Sequence, residues 1–337
     1  MSVRTEAVAL EQSQRLQWMD TLRGLAILLV LFWHAPAIPA LFDFEIPSAL
    51  RAVNEFFLPF RMPMLMFLSG LLLPRSLSKP LGSYYIGKFR LVVWPYLIWA
   101  LLHMLTFEAT APLYHPRAWI ATGYLWFIFF IACYYLAAPL LRRVPPYIPP
   151  IMAFALAVPA PEGLPTRMLY FAGFFFAGNL AATYSERFHD ILGNRVVVFV
   201  SAAVAVGFGI FATMVDIQYN ALFAPFSLAG ILAAIALVRR VGSQRWATPV
   251  RYVGRNSIVY YVSHFPIMHF MLLALMAVGV TGVAVAAPLL FAAALLVGTG
   301  LAYFKDRPVI SWLFSAPWPP GRSGPAASLN APESRSA

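Results

Sequence analysis

The stretch Asp20-Thr-Leu-Arg23-Gly-Leu-Ala-Ile-Leu-Leu-Val-Leu-Phe-Trp-His34 decides how the chain is read. It is apolar enough to cross a bilayer, yet it carries a cation near one end and an imidazole near the other. A helix turns by about 100° per residue, so His34 returns to within about 20° of Arg23, roughly 16 Å further along the axis. The two side chains therefore share one stripe. Ionisable groups at membrane depth are expensive and usually face a protein interior or a water-filled cavity. A plain membrane helix accounts for them otherwise: Arg23 snorkels to the headgroups and His34 bonds a nearby carbonyl.

The rest of the chain has the same character. Of 337 residues, 61% are apolar and 11% charged, and mean hydropathy is +0.74. Long apolar runs recur from residue 22 to residue 304, which predicts an all-α polytopic membrane protein with one membrane domain. About ten transmembrane helices are expected, over 22–41, 56–73, 91–107, 119–140, 147–160, 168–183, 196–215, 221–238, 257–279 and 282–304. The fifth is short and bounded by Pro145-Pro146, Pro149-Pro150 and Pro159, so a tilted, broken or re-entrant segment is expected there. The basic leader and first apolar run loosely resemble a signal peptide, but Glu6, Glu11 and Asp20 interrupt the leader. The run is read as an uncleaved first span.

Loop charges set an orientation. Arg75, Lys79, Lys88 and Arg90 fall in the 74–90 loop, Arg142 and Arg143 in the next on that side, and five arginines in the 239–256 loop. The alternate loops carry Asp43, Glu45, Glu55, Glu162 and Asp216 against few bases, and the 184–195 loop is balanced. The positive-inside rule then places both termini in the cytoplasm of a bacterial-type inner membrane. The same rule explains the net charge of +11, so no nucleic-acid partner is expected. Residues 1–17 read as a cytoplasmic segment and 305–337 as a largely disordered cytoplasmic tail. Cys133 is the single cysteine, which excludes a disulfide framework, and no metal-ligand spacing is found. Oligomeric state is not legible.

Histidine suits proton transfer near neutral pH, which makes His34 the candidate base. Asp20 stands at i,i+3 from Arg23 and is expected to pair with it. Ser257, Tyr260 and His264 follow i, i+3, i+7 spacing and form a second polar stripe; His264 either faces the site or satisfies a buried partner. Trp126 either lines the site or packs in the core.

Five segments, in order, resemble the acyltransferase 3 family of integral-membrane acyltransferases. Trp18 to His34 resembles its first helix, marked by Arg, ten residues, then His. Phe60-Arg-Met-Pro-Met-Leu-Met-Phe-Leu-Ser-Gly70 resembles its "MPLFFFLSG" pattern. Lys88-Phe-Arg90-Leu-Val-Val-Trp-Pro-Tyr96, Leu125-Trp126-Phe-Ile128 and Gly254 to Pro266 resemble its basic cluster, its "LWFL" segment and its late "S…Y…H" helix. The resemblance spans 18–304. Some members carry a polar residue, often His, just before "LWFL", where Tyr124 stands here.

The resemblance implies a membrane O-acyltransferase. No bound cofactor is expected. An acyl group, acetyl above all, would pass from acyl-CoA as co-substrate to a hydroxyl of a carbohydrate or other envelope molecule. His34 and Arg23 would be the catalytic pair. Asp20, Lys88, Arg90, Trp126, Ser257, Tyr260 and His264 would bind substrates, with Arg23, Lys88 and Arg90 at the donor's phosphates. His34 would act as base or carry the acyl group transiently. The alternative is a transporter or flippase for a sugar or lipid intermediate, which ten spans and a broken helix would also suit.

Overall fold

The computed structural model describes residues 2–107, 111–242 and 244–317, with side chains from Gln17 onward. No strand occurs among the described residues. The helices are α1 Ser2–Ala40, α2 Ser48–Gly70, α3 Leu81–Thr106 and α4 Gly123–Leu141. They continue with α5 Ile148–Ala157, α6 Leu164–Thr183, α7 Ser185–Gly193 and α8 Arg195–Ala212. The last four are α9 Ala224–Val241, α10 Thr248–Arg255, α11 Ser257–Ala277 and α12 Val283–Phe304.

Eight helices among the described residues are long and apolar enough to cross a membrane. The protein is thus an all-α polytopic membrane protein, while a count of ten is not established. The fifth predicted span, α5, has only 10 residues. The sixth, α6, has 20 residues, but Thr166, Arg167, Asn179 and Thr183 dilute its apolar character. The two lie against each other.

Helix α1 sits at the centre and touches α2, α9, α10, α11 and α12. Two close crossings hold this core. A Cβ on Gly24 would strike the backbone of Val250, and a Cβ on Gly254 would strike the backbone of Asp20, so α1 and α10 cross backbone to backbone. Gly70 and Gly178 do the same for α2 and α6, against Phe175 and Phe67. Small residues permit such approach where apolar burial alone cannot drive helices together.

Several expected loops prove to be structured. Residues 248–255, read as loop, form α10, which binds the foot of α1. The expected Asp20–Arg23 pair is replaced by an ion pair between Asp20 and Arg255 at 3.0 Å. Residues 185–193 form α7. The third span starts ten residues earlier than predicted, so Lys88 and Arg90 lie on a helix and not in a loop. Pro95 explains the irregularity there. Its missing N–H and its ring disturb the preceding turn, and Phe89–Val93 takes up a π turn closed from the Trp94 N–H to the Phe89 carbonyl.

Part of the expected tail is ordered. Residues 305–317 fold back on α3, where the indoles of Trp94 and Trp99 donate to the carbonyls of Trp312 at 2.7 Å and Leu313 at 2.9 Å. Residues 318–337 lie outside the described residues.

Candidate active site

His34 and His264 meet across α1 and α11, with ring centroids 4.6 Å apart at 66°. Nδ1 of His34 lies 2.8 Å from the Val30 carbonyl, one turn back. A carbonyl only accepts, so Nδ1 carries the hydrogen and a neutral imidazole keeps its lone pair on Nε2. The same holds for His264, whose Nδ1 donates to the Tyr261 carbonyl at 2.6 Å. Its Nε2 is buried and without a partner. Two imidazoles are thus held in the tautomer that leaves a basic nitrogen free.

Pro266 shapes this corner. It has no N–H to give the Val262 carbonyl, and the hydroxyl of Tyr124 donates to that carbonyl instead, at 2.5 Å. The Tyr124 ring then lies 5.4 Å from His264 and stacks on Phe265 at 4.8 Å. Tyr124 stands just before the Leu125-Trp126 segment, and its hydroxyl is spent on the backbone.

A cavity of about 130 Å³ opens beside His34, walled by Trp33, Arg61, Tyr124, Trp126 and Tyr219. Trp126 is therefore brought to the site, as expected for one of its two readings. Its ring lies 4.6 Å from the Arg167 guanidinium, which also covers Tyr219 at 4.9 Å. Arg61 packs its guanidinium 4.8 Å over Trp33. It is buried, and its Nη1 has no partner. Neither arginine was singled out from sequence. A lone cation inside the apolar motif Phe60-Arg-Met-Pro is a visible signal, whereas Arg167 sits among polar residues just before the sixth predicted span and carries none.

Arg23 does not line this cavity. Its Nη2 donates to the Leu68 carbonyl at 3.3 Å, and the Tyr135 hydroxyl donates to the next one, that of Ser69, at 3.1 Å. Lys88 reaches the same corner, with Nζ 3.4 Å from the Tyr135 ring and 3.2 Å from Ser76 Oγ. Arg23 and Lys88 thus gather at one end of the bundle, and His34 lies about 16 Å along α1 from Arg23.

The other expected residues go elsewhere. Arg90 Nε donates to the Ala316 carbonyl at 3.3 Å, and Asp20 is engaged with Arg255. The late polar stripe divides. His264 turns to α1, whereas the Tyr260 hydroxyl meets Thr299 Oγ1 on α12 at 2.8 Å and its ring covers Gly298. Ser257 is half-buried at the start of α11. Among the described residues, no group of three or more His, Cys, Asp or Glu side chains could hold a metal ion.

The described residues form a polytopic helical bundle with an imidazole pair on α1 and α11 and a cationic corner. An acyltransferase domain model matches residues 16–306, and the chain belongs to the acyltransferase 3 family. No curated protein and no solved structure matches the chain significantly. Membership makes the protein an acyltransferase enzyme, and the transporter alternative is set aside.

Proposed function

We propose that this enzyme moves a short acyl group, acetyl above all, from acyl-CoA to a hydroxyl of a carbohydrate or other envelope molecule. The observation that carries this reading is the free Nε2 of His34 at the wall of the cavity. A hydroxyl placed there gives its proton to Nε2 as its oxygen attacks the thioester carbonyl. The tetrahedral intermediate then expels the CoA thiolate, which recovers the proton from His34. Transfer through an acyl-imidazole uses the same nitrogen as nucleophile and the same leaving group.

The donor would enter at the opposite end of the bundle. Arg23 and Lys88 present cations suited to the phosphates of CoA, and the extended pantetheine arm would cover the distance to His34. We place Arg90 outside that path, because it ties down the ordered C-terminal segment. Asp20 and Tyr260 would act through helix packing, with Asp20 holding α10 and Tyr260 holding α12. The basic loops support a donor end facing the cytoplasm of a bacterial-type inner membrane.

Purified protein supplied with acetyl-CoA and candidate glycans tests the reading. CoA release should depend on the acceptor, with acetyl recovered on a hydroxyl. A His34→Ala variant that transferred acetyl at the unmutated rate would sink the catalytic assignment.

A further inference from the structure

The His34 cavity carries more positive charge than acyl transfer to a neutral alcohol requires. Arg61 is 6% exposed and its Nη1 has no partner. Arg167 on α6 stands behind that wall, packed on its residues Trp126 and Tyr219, and its Nε is also buried and without a partner. Among the described residues, neither guanidinium has a carboxylate within ion-pair distance. Glu55 and Asp216 line only the adjoining pocket, which shares Trp33, Leu58 and Gln218 with the cavity.

Aromatic faces hold both cations: Trp33 under Arg61, and Trp126 and Tyr219 against Arg167. Stacking on a ring stabilises a guanidinium and fixes its plane, but leaves the N–H edges unused. A buried charge without a counter-charge costs more than such stacking returns. Edges fixed in this way match the two oxygens of a carboxylate or a phosphate. The anion that completes the site is then supplied by what binds there.

CoA phosphates are a poorer fit. Arg61 lies about two turns of α2 from Leu68, where Arg23 bonds, and it packs on Trp33 beside His34 and not at the Arg23–Lys88 corner. A transient oxyanion is also a poorer fit, since two permanent cations exceed what a passing charge needs.

We propose that the acceptor of this acyltransferase is an anionic glycan, whose carboxylate or phosphate pairs with Arg61 and Arg167 while a neighbouring hydroxyl faces His34. The inference rests on the acyl-transfer reading, because it seats the acceptor in the His34 cavity.

Binding to the full chain in nanodiscs tests it without turnover. Methyl glucuronide, glucose 1-phosphate and neutral methyl glucoside serve as probes. At least one anionic probe should bind about tenfold or more tightly than the glucoside. The preferred anion separates carboxylate from phosphate. The gap should close in Arg61→Gln and in Arg167→Gln, narrow less in Arg61→Lys, and shrink with salt in the unmutated protein. The salt series stands even if a buried substitution unfolds the chain.

Equal binding of all three probes overturns the proposal. So does loss of CoA affinity in Arg61→Gln with the sugar gap intact, which would give the cation to the donor. A kcat loss for neutral and anionic acceptors alike, with KM unchanged, would make Arg61 an oxyanion donor and overturn it as well. Acceptor-dependent CoA release is measured separately. Its absence would remove the acyl-transfer reading and leave the anion comparison intact.

Discussion

His34 is able to act as a base because of where its other nitrogen is spent. The Val30 carbonyl one turn back takes the Nδ1 hydrogen and leaves Nε2 to the cavity. His34→Ala should lower acyl transfer by about 10²- to 10⁴-fold while leaving CoA binding close to normal, which equilibrium binding separates from turnover. Lys88 predicts the converse. Lys88→Met should raise the KM for acyl-CoA with little change in kcat, since the proposed role gives Lys88 contact with the donor and none with the reacting atoms. Tyr124→Phe probes the carbonyl that Pro266 leaves open. Losing that hydrogen bond strands a buried acceptor and should cost about 1–3 kcal/mol, read as a lower unfolding temperature in detergent.

At the level of helices, the apolar spans and the first-helix motif were legible because hydropathy and spacing are local properties. The long-range pairs were not. Asp20 sits at a tempting i,i+3 distance from Arg23, yet its partner Arg255 lies 235 residues away. Nothing local favours one over the other. Helix α10 was hidden for a different reason. With 8 residues, two of them arginines, and Arg245 just before it, it offers no span-length apolar run and reads as a basic loop. The meeting of His34, His264 and Arg61 needs three helices at once, so each residue was visible alone and their grouping was not. The glycine crossings give an element-scale prediction. Gly254→Val should lower thermal stability and activity together, because its side chain would strike the α1 backbone. Gly82→Ala, which meets nothing within 4 Å, should leave both unchanged.

At the level of the whole molecule, the basic loops and the Arg23–Lys88 corner share one end, and the small cavity opens toward the other. On the proposed reading, that division would put donor and acceptor on opposite sides of the membrane. Single cysteines in a Cys133→Ala background test it. An impermeant maleimide added to intact cells should label Asp43→Cys and spare Ser78→Cys; the reverse pattern would invert the molecule and with it the direction of transfer. The C-terminal return against α3 belongs to this scale too, because it joins the last residues described to the helix that carries Lys88.

The crossing of Gly24 on Val250 has a mechanical side. It makes the foot of α1 a fulcrum and the ten residues up to His34 a lever arm of about 15 Å. A tilt of roughly 5° at the foot would swing the imidazole by roughly 1 Å, and a misplacement of that size can cost about a hundredfold in rate. The packing of Val250 on Gly24, about 15 Å from the imidazole, therefore bears on where the His34 nitrogen points.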